Sequence, residues 1–153
     1  MPMSFARQIE IKQLSTTDLD LTQQLFILLQ QVFGAEHPIK VSKTYTQRLL
    51  ANPVFVAFAA IVYGELAGGL TGYISPMYNG EISELYIYDI AVKPEFQRRG
   101  IGKQLIAFTK DYCSKSGMSA MYVQANAEDE HALDFYRSSG GREHKVVHFT
   151  YTL

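Results

Sequence analysis

The order of short strands and helices predicts a single mixed α/β (α+β) domain, with helices flanking a mixed, mostly antiparallel sheet. Three observations carry this. The apolar run Val54 to Val62 is followed by the turn Tyr63-Gly64-Glu65 and a second apolar run, which makes a hairpin. Between two later strand runs, Gly100 to Ser116 places Ile101, Leu105, Phe108 and Tyr112 on one helical face, the pattern of a crossover helix. The chain is 153 residues long, 47% hydrophobic and 19% charged, with no repeat or linker, which suits one folded domain over 1–153.

Each element follows from local signals. Arg7 to Leu14 alternates apolar and polar residues, as a half-exposed strand does. Ser15-Thr16-Thr17-Asp18 offers N-cap residues, Leu21, Leu25, Leu28, Leu29 and Val32 recur at helical spacing, and Gly34 is the stop. A shorter helix is expected over Tyr45 to Ala51, before Pro53. The hairpin pairs Val54 to Val62 with Leu66 to Ser75. After Pro76 and Asn79-Gly80, a strand is expected from Ile82 to Val92, ended by Pro94. Gly117 closes the crossover helix; Ala120 to Ala125 reads as a strand, Glu130 to Ser138 as a helix and Lys145 to Tyr151 as a last strand.

Composition excludes several classes of function. Fourteen Lys and Arg against fifteen Asp and Glu leave a net charge of −1, so no nucleic acid partner is held by bulk positive charge. The apolar run ending at Tyr63 falls short of the about 20 residues a membrane span needs. Met1 to Arg7 shows no basic segment leading into an apolar one, so no signal peptide is read and a cytoplasmic location is expected. Cys113 is the single cysteine and can form no internal disulfide; no His pair has metal-ligand spacing, so no metal site is read.

The most informative stretch runs from Asp89 to Lys103. A strand ends, and Gln97-Arg98-Arg99-Gly100-Ile101-Gly102 opens an amphipathic helix. First-turn backbone N–H groups lack intrahelical partners and, with the positive end of the helix dipole, make a phosphate site. Glycines at 100 and 102 would let an anion approach closely. Five bases and one acid, Glu95, lie between Lys93 and Lys110, so the local field also favours an anion. A G-x-G alone is a weak signal. There is no G-x-x-x-x-G-K-[ST], and Leu105 breaks a full G-x-G-x-x-G. The specific pattern is joint: Q-R-R-G-I-G, an upstream strand ending Ile-Ala-Val-Lys-Pro, and a downstream Ala132-x-x-x-Tyr136.

With these residues the chain resembles the GNAT superfamily of acetyl-CoA-dependent N-acetyltransferases. Within it, the run Ser83 to Val92, Pro53 to Ala57, Tyr122 to Ala125 and Val147-His148-Phe149 are similar to the gentamicin-type aminoglycoside 3-N-acetyltransferases. Two positions depart from the common superfamily pattern: Asp129 stands where Asn is frequent, and Gly140-Gly141 replaces a Gly-Phe. The resemblance implies a GNAT fold, splayed near Asp89 to Val92. It implies that the Gln97 to Gly102 amides hold the pyrophosphate of acetyl-CoA. Arg98, Arg99 and Lys103 would supply field, and the strand at Ile90, Ala91 and Val92 would pair with the pantetheine arm.

Acetyl transfer needs a held donor, a polarised carbonyl, a deprotonated amine and a stabilised thiolate. Tyr136 is the candidate acid, since a phenol is neutral at pH 7 and can donate; beside Phe135 it could equally be a core tyrosine, and the A-x-x-x-Y match favours catalysis. A lone strand histidine is usually structural, but His148 matches the aminoglycoside branch and is the preferred general base, on the strand face opposite Val147 and Phe149. Residues 81 to 89 hold Glu81, Glu84 and Asp89 with no Lys or Arg, and residues 126 to 136 hold Glu128, Asp129, Glu130 and Asp134 likewise. Such runs are ordinarily solvated faces or helix-start acids. Glu84 and Asp89, however, lie in a strand otherwise rich in Leu, Tyr and Ile. Strict alternation there groups Glu84, Tyr86, Tyr88 and Ile90 against Leu85, Ile87 and Asp89, unless a bulge intervenes. Glu84, Asp89, Glu128, Asp129 and Glu130 are thus candidates to bind a polycationic amine, and Asp89 could also take its proton through a water. Cys113 reads as core, which favours direct attack over an acyl-enzyme. An aminoglycoside is the first expected acceptor, with a polyamine, peptide N-terminus or lysine as alternatives and a non-catalytic coenzyme-binding module as a third. A homodimer is also allowed.

Overall fold

The structure is a computed structural model and describes residues 8–153; the Met1 to Arg7 reading and the start of the first strand lie outside the described residues. The elements are β1 (Ile9–Gln13), α1 (Leu19–Val32), α2 (Lys43–Ala51), β2 (Phe55–Val62), β3 (Glu65–Pro76), β4 (Ser83–Val92), α3 (Ile101–Lys115), β5 (Ala120–Val123) and α4 (Glu130–Ser138). One five-stranded sheet has the order β1-β2-β3-β4-β5. The first four strands pair antiparallel, and β5 joins β4 parallel after the α3 crossover.

The sheet is covered on both faces. Phe55, Ala57 and Ala59 of β2 pack with Leu25, Leu28 and Leu29 of α1, while Val56, Phe58, Ala60 and Val62 pack with Ile101, Leu105 and Ile106 of α3. That is why β2 reads as a continuous apolar run rather than an alternating one. The β2–β3 hairpin turns on Tyr63 and Gly64, both at positive φ (51° and 78°), the conformation a two-residue turn between twisted strands requires. Gly69 lets α1 lie against the sheet: a Cβ there would run into the Leu25 side chain and meet the Phe58 carbonyl oxygen at 2.5 Å.

Two sequence expectations are corrected. The β3–β4 register passes from Gly72 opposite Ile87 to Thr71 opposite Asp89, so Tyr88 is an extra residue in a bulge. Strict alternation therefore fails at that point. Ile90 and Val92 join Leu85 and Ile87 in the α3-side core, and Ala91 turns to the α1 side. The strand expected over Lys145 to Tyr151 does not form: residues 141–153 carry no regular structure. A strand exists only by pairing, and no backbone group from Arg142 onward has a hydrogen-bond partner among the described residues.

Candidate active site

The loop after β4 is shaped before it meets any ligand. Lys93 N–H donates to the Ala67 carbonyl (2.8 Å), and a 3-10 turn follows over Pro94–Phe96. Gln97 Nε2 then donates back to the Val92 carbonyl (2.9 Å), strapping the loop to the strand end. Arg98 (φ 64°) and Gly100 (φ 85°) are both left-handed, and Gly100 is the N-cap of α3. Left-handed residues among right-handed ones turn successive N–H groups into one concavity, a shape suited to an anion. The first-turn amides of Ile101, Gly102 and Lys103 add donors without intrahelical acceptors. Arg99 lies with its guanidinium 6.0 Å from the Phe96 ring centroid. Gly100 has open space where a side chain would stand, so its φ is what demands glycine. Gly102 differs from expectation. A Cβ there would lie 2.9 Å from the Phe135 ring, so its smallness serves the packing of α4 on α3.

Beside this cradle the sheet opens. β4 pairs with β3 along Ser83–Val92 but with β5 only from Glu84 to Ile87. The β5-facing edge from Tyr88 to Val92 thus has no strand partner, and Ile90, Ala91 and Val92 present it where the resemblance expects pantetheine. These residues fit acetyl-CoA: an anion cradle sits at one end of an unpaired strand edge.

Tyr136 lies at this opening. It is half-buried against Phe135 (ring centroids 5.1 Å apart), and its phenol is pushed up to about 12 by burial and by the charges of Asp89 and Asp129. Tyr136 is therefore neutral at pH 7, with two candidate carboxylates in its field. Burial also raises Asp89. Tyr136 thus stands within the field of Asp89, at the splayed end of β4, and of Asp129, at the start of α4.

The other acidic candidates have more ordinary occupations. Asp129 caps α4, its carboxylate accepting from Ala132 N–H at 3.0 Å. Glu130 pairs with Arg137 (3.5 Å), which also holds Asp134 (3.1 Å) and Glu143 (3.0 Å). Much of the acidic run at 128–134 is therefore helix capping and a surface ion-pair network. Glu128 is exposed and has no ion pair among the described residues. Glu84 stands near the start of β4, opposite Ser75 and Ala120, five residues before Asp89. His148 is not gathered into the site. It lies exposed in the irregular tail with no hydrogen-bond partner among the described residues, so the expected strand face is absent. Cys113 is buried and its thiol raised by that burial, as suits a core residue.

A row of tyrosines escaped the sequence reading. Tyr86 stacks on Tyr122 (5.0 Å, 17° between planes) and meets Tyr88 edge-on at 6.0 Å; Tyr88 meets Tyr73 at 5.8 Å. Tyr86 donates its hydroxyl to Gln124 Oε1 (3.0 Å). Three strands contribute to this row, so only the register reveals it; the one local trace is the Tyr86-x-Tyr88 spacing. Asp89 directly follows Tyr88 in β4, opposite Thr71, and adds a small upward push on Tyr73 and Tyr86 after burial and the neighbouring tyrosines. Aromatic faces next to a carboxylate suit a cyclic, cationic ligand.

The conserved pattern of the acetyltransferase (GNAT) family matches residues 22–140. The chain belongs to the GNAT family of acetyltransferases. Acetyl-CoA is the acyl donor of this family. Among solved structures, the aminoglycoside acetyltransferase meta-AAC0020 from an uncultured soil metagenomic sample is similar at 38% identity and a TM-score of 0.93 in its trehalose complex. The similarity covers 98% of this chain and 99% of that one. In its sisomicin complex the values are 37% and 0.94, with the same coverage. Aminoglycoside N-acetyltransferase AAC(6')-Iy, solved with CoA, shares the fold at 22% identity and a TM-score of 0.81, over 99% of this chain and 98% of that one. A curated relative, an uncharacterized N-acetyltransferase of Methanocaldococcus jannaschii, is 28% identical over 90% of this chain. This GNAT chain spans 62% of that relative's length. No helix among the described residues is long and apolar enough to cross a membrane.

Proposed function

We propose that this GNAT protein transfers acetyl from acetyl-CoA to the 3-amino group of a gentamicin-type aminoglycoside by direct attack, and so confers resistance in the cytoplasm. The observation that carries the reading is the convergence at the splayed end of β4. A neutral Tyr136, the Asp89 carboxylate and a tyrosine row meet there beside an anion cradle. The similarity to a sisomicin-bound acetyltransferase supports the acceptor class.

Bound acetyl-CoA would supply an electrophilic thioester. The chain's own residues divide the rest. The cradle from Gln97 to Gly102 holds phosphate, with Arg98, Arg99 and Lys103 adding positive field, and the open edge at Ile90, Ala91 and Val92 offers N–H donors to a carbonyl oxygen. Asp89 and the tyrosine row bind the ammonium-bearing ring, with Glu84, Glu128, Asp129 and Glu130 extending the negative field towards a polycation. An amine must lose a proton before it attacks; His148, or a water held by Asp89, accepts it. Tyr136 donates a hydrogen bond to the departing sulfur. A phenol at about 12 gives up its proton reluctantly, but an ammonium bound at Asp89 cancels part of the field that raises it. Acceptor binding therefore readies the acid.

Thiol release assayed with gentamicin, sisomicin, kanamycin, spermidine and an alanine-terminated peptide tests the reading. Turnover is expected with gentamicin and sisomicin, and nuclear magnetic resonance of the product should place the acetyl group on the 3-amino nitrogen. Acetylation at another nitrogen would overturn the regiospecificity, and turnover confined to spermidine or the peptide would overturn the acceptor class. Tyr136→Phe should lower kcat by about 100-fold with little change in KM.

A further inference from the structure

The bulge in β4 puts Glu84 and Asp89 on one face of the sheet. Leu85 and Ile87 belong to the α3-side core, so Glu84 and Tyr86 stand on the opposite, α1-side face. Beyond the extra residue Tyr88 the phase reverses. Ile90 and Val92 take the α3 side, and Ala91 takes the α1 side with Asp89. An unbulged strand would set the two carboxylates on opposite faces. Between them lies a floor of aromatic rings. Tyr73, opposite Tyr86, rests on the buried Phe55 at 5.4 Å, and Tyr122 of β5 stacks on Tyr86 from the other side. The Tyr86 hydroxyl is fixed on Gln124 Oε1, so the stacked pair is held before any ligand arrives. Across three strands the floor is about 10 Å wide, and Glu84 lies roughly 15 Å along the strand from Asp89. Ser75 and Ala120, which flank Glu84 in register, are exposed, as are Tyr73 and Tyr122, so this end of the face is open.

We infer that the acceptor is gripped at two points: Glu84 with the Tyr86 and Tyr122 pair forms a second subsite, for an ammonium-bearing ring linked to the ring that reacts at Asp89. This division of the site rests on the acceptor being an aminoglycoside, as proposed above, and assigns a part of it to each end. Charge favours a cation at the far end. Glu84 is half-buried and has no ion pair among the described residues, and β3, β4 and β5 carry no Lys or Arg to neutralise it. A carboxylate beside aromatic faces attracts an ammonium twice, by its own charge and by the ring quadrupole. The stacked tyrosines also offer a flat surface to the apolar face of a sugar ring. The span from Glu84 to Asp89 exceeds one six-membered ring and suits linked ones. A linear polyamine would reach both carboxylates but has no ring to lay on the floor between them. Glu84 is thus a binding group remote from the reacting atoms.

Calorimetric titration of the full chain, saturated with CoA, tests the two-point grip. The ligands are sisomicin and 2-deoxystreptamine, the central ring of sisomicin alone. Tyr122→Ala and Glu84→Gln should each weaken sisomicin about 10-fold and leave 2-deoxystreptamine within about twofold. Asp89→Asn should weaken both ligands. Tyr122→Phe keeps the ring face and should bind sisomicin as the unaltered chain does. Glu84 and Tyr122 belong to neither core cluster, so these substitutions do not threaten the fold. Equal losses for both ligands would put Glu84 at the reacting ring and overturn the second subsite. So would a sisomicin affinity indifferent to both Tyr122→Ala and Glu84→Gln. If 2-deoxystreptamine binds too weakly to titrate while sisomicin binds, the missing anchor is already visible, and Tyr122→Ala against Tyr122→Phe decides what supplies it. Equal sisomicin affinity in those two would overturn the stacking. Sisomicin that neither binds nor turns over would overturn the aminoglycoside reading itself. Sisomicin that turns over, with affinity unchanged in both variants, would overturn the second subsite alone.

Discussion

The two ends of this sheet differ in how much of their packing lies within the chain. At β2 every residue but Ile61 is buried, and Phe58 is fully enclosed, its ring edge-on to Phe108 (5.1 Å) and Tyr112 (5.3 Å). At the other end, β5 and α4 have no fully buried residue, and the tail beyond them has none either. The first end is closed by its own helices. The second end carries the candidate site, with an unpaired strand edge, a half-buried Tyr136 and the carboxylate of Asp89. A GNAT protein built this way can lose or gain contacts at its site without unfolding its core.

The strongest challenge to that contrast is a pair of matched truncations. Phe58→Ala should cost about 3–5 kcal/mol of unfolding free energy, because the enclosed site cannot collapse onto the space left. Phe149→Ala, at an exposed position of the irregular tail, should cost less than about 0.5 kcal/mol. Urea denaturation of both variants measures the difference, and comparable losses would break the contrast.

The same contrast explains what could be read in the amino-acid sequence. Elements that close on their own neighbours announce themselves locally. Leu21, Leu25, Leu28 and Leu29 mark α1, and the run from Phe55 marks β2; α4, at the open end, is marked instead by its own cap and helical spacing from Glu130 to Ser138. The turn into α3 was legible in part, because Gly100 acts through its local backbone hand; the left-handed Arg98 beside it was not foreseen. What failed was what depends on pairing. Tyr88 as a bulge, the tyrosine row and the unpaired segment at Lys145 to Tyr151 are all matters of register or pairing, which periodicity along one strand does not contain. Asp129 could be read as a ligand or as a cap; it is held as a cap, and only its field reaches Tyr136.

A smaller effect probes the seam between the two ends. Gly102 of α3 touches Phe135 of α4, and Gly102→Val would force the ring aside. In a closed core such overpacking costs about 1–3 kcal/mol. Here α4 is loosely held and can shift, so stability should fall by the lower part of that range. Because Tyr136 rides on α4, kcat should drop by more than that change in stability suggests. Thermal melting alongside steady-state kinetics reads both. A large loss of stability with kcat intact would show α4 to be part of the core.

The smallest expected change is the most local. Tyr136 is raised to about 12 from an ordinary 10, by burial first and by Asp89 second. Asp89→Asn removes one negative charge, so the phenolate becomes easier to form and the value should fall, while burial keeps it above 10. The sign for stability follows from proton binding. Between pH 10 and 12 the folded chain holds a proton that the unfolded chain has released, so the stabilisation from Tyr136 is present below pH 10 and is lost as pH rises towards 12. In Asp89→Asn that window narrows from above. Phenolate absorbance against pH, compared with Tyr136→Phe to isolate the one ring, measures the shift. An unchanged Tyr136 would mean that Asp89 does not reach it, and that acceptor binding at Asp89 has no route to the acid.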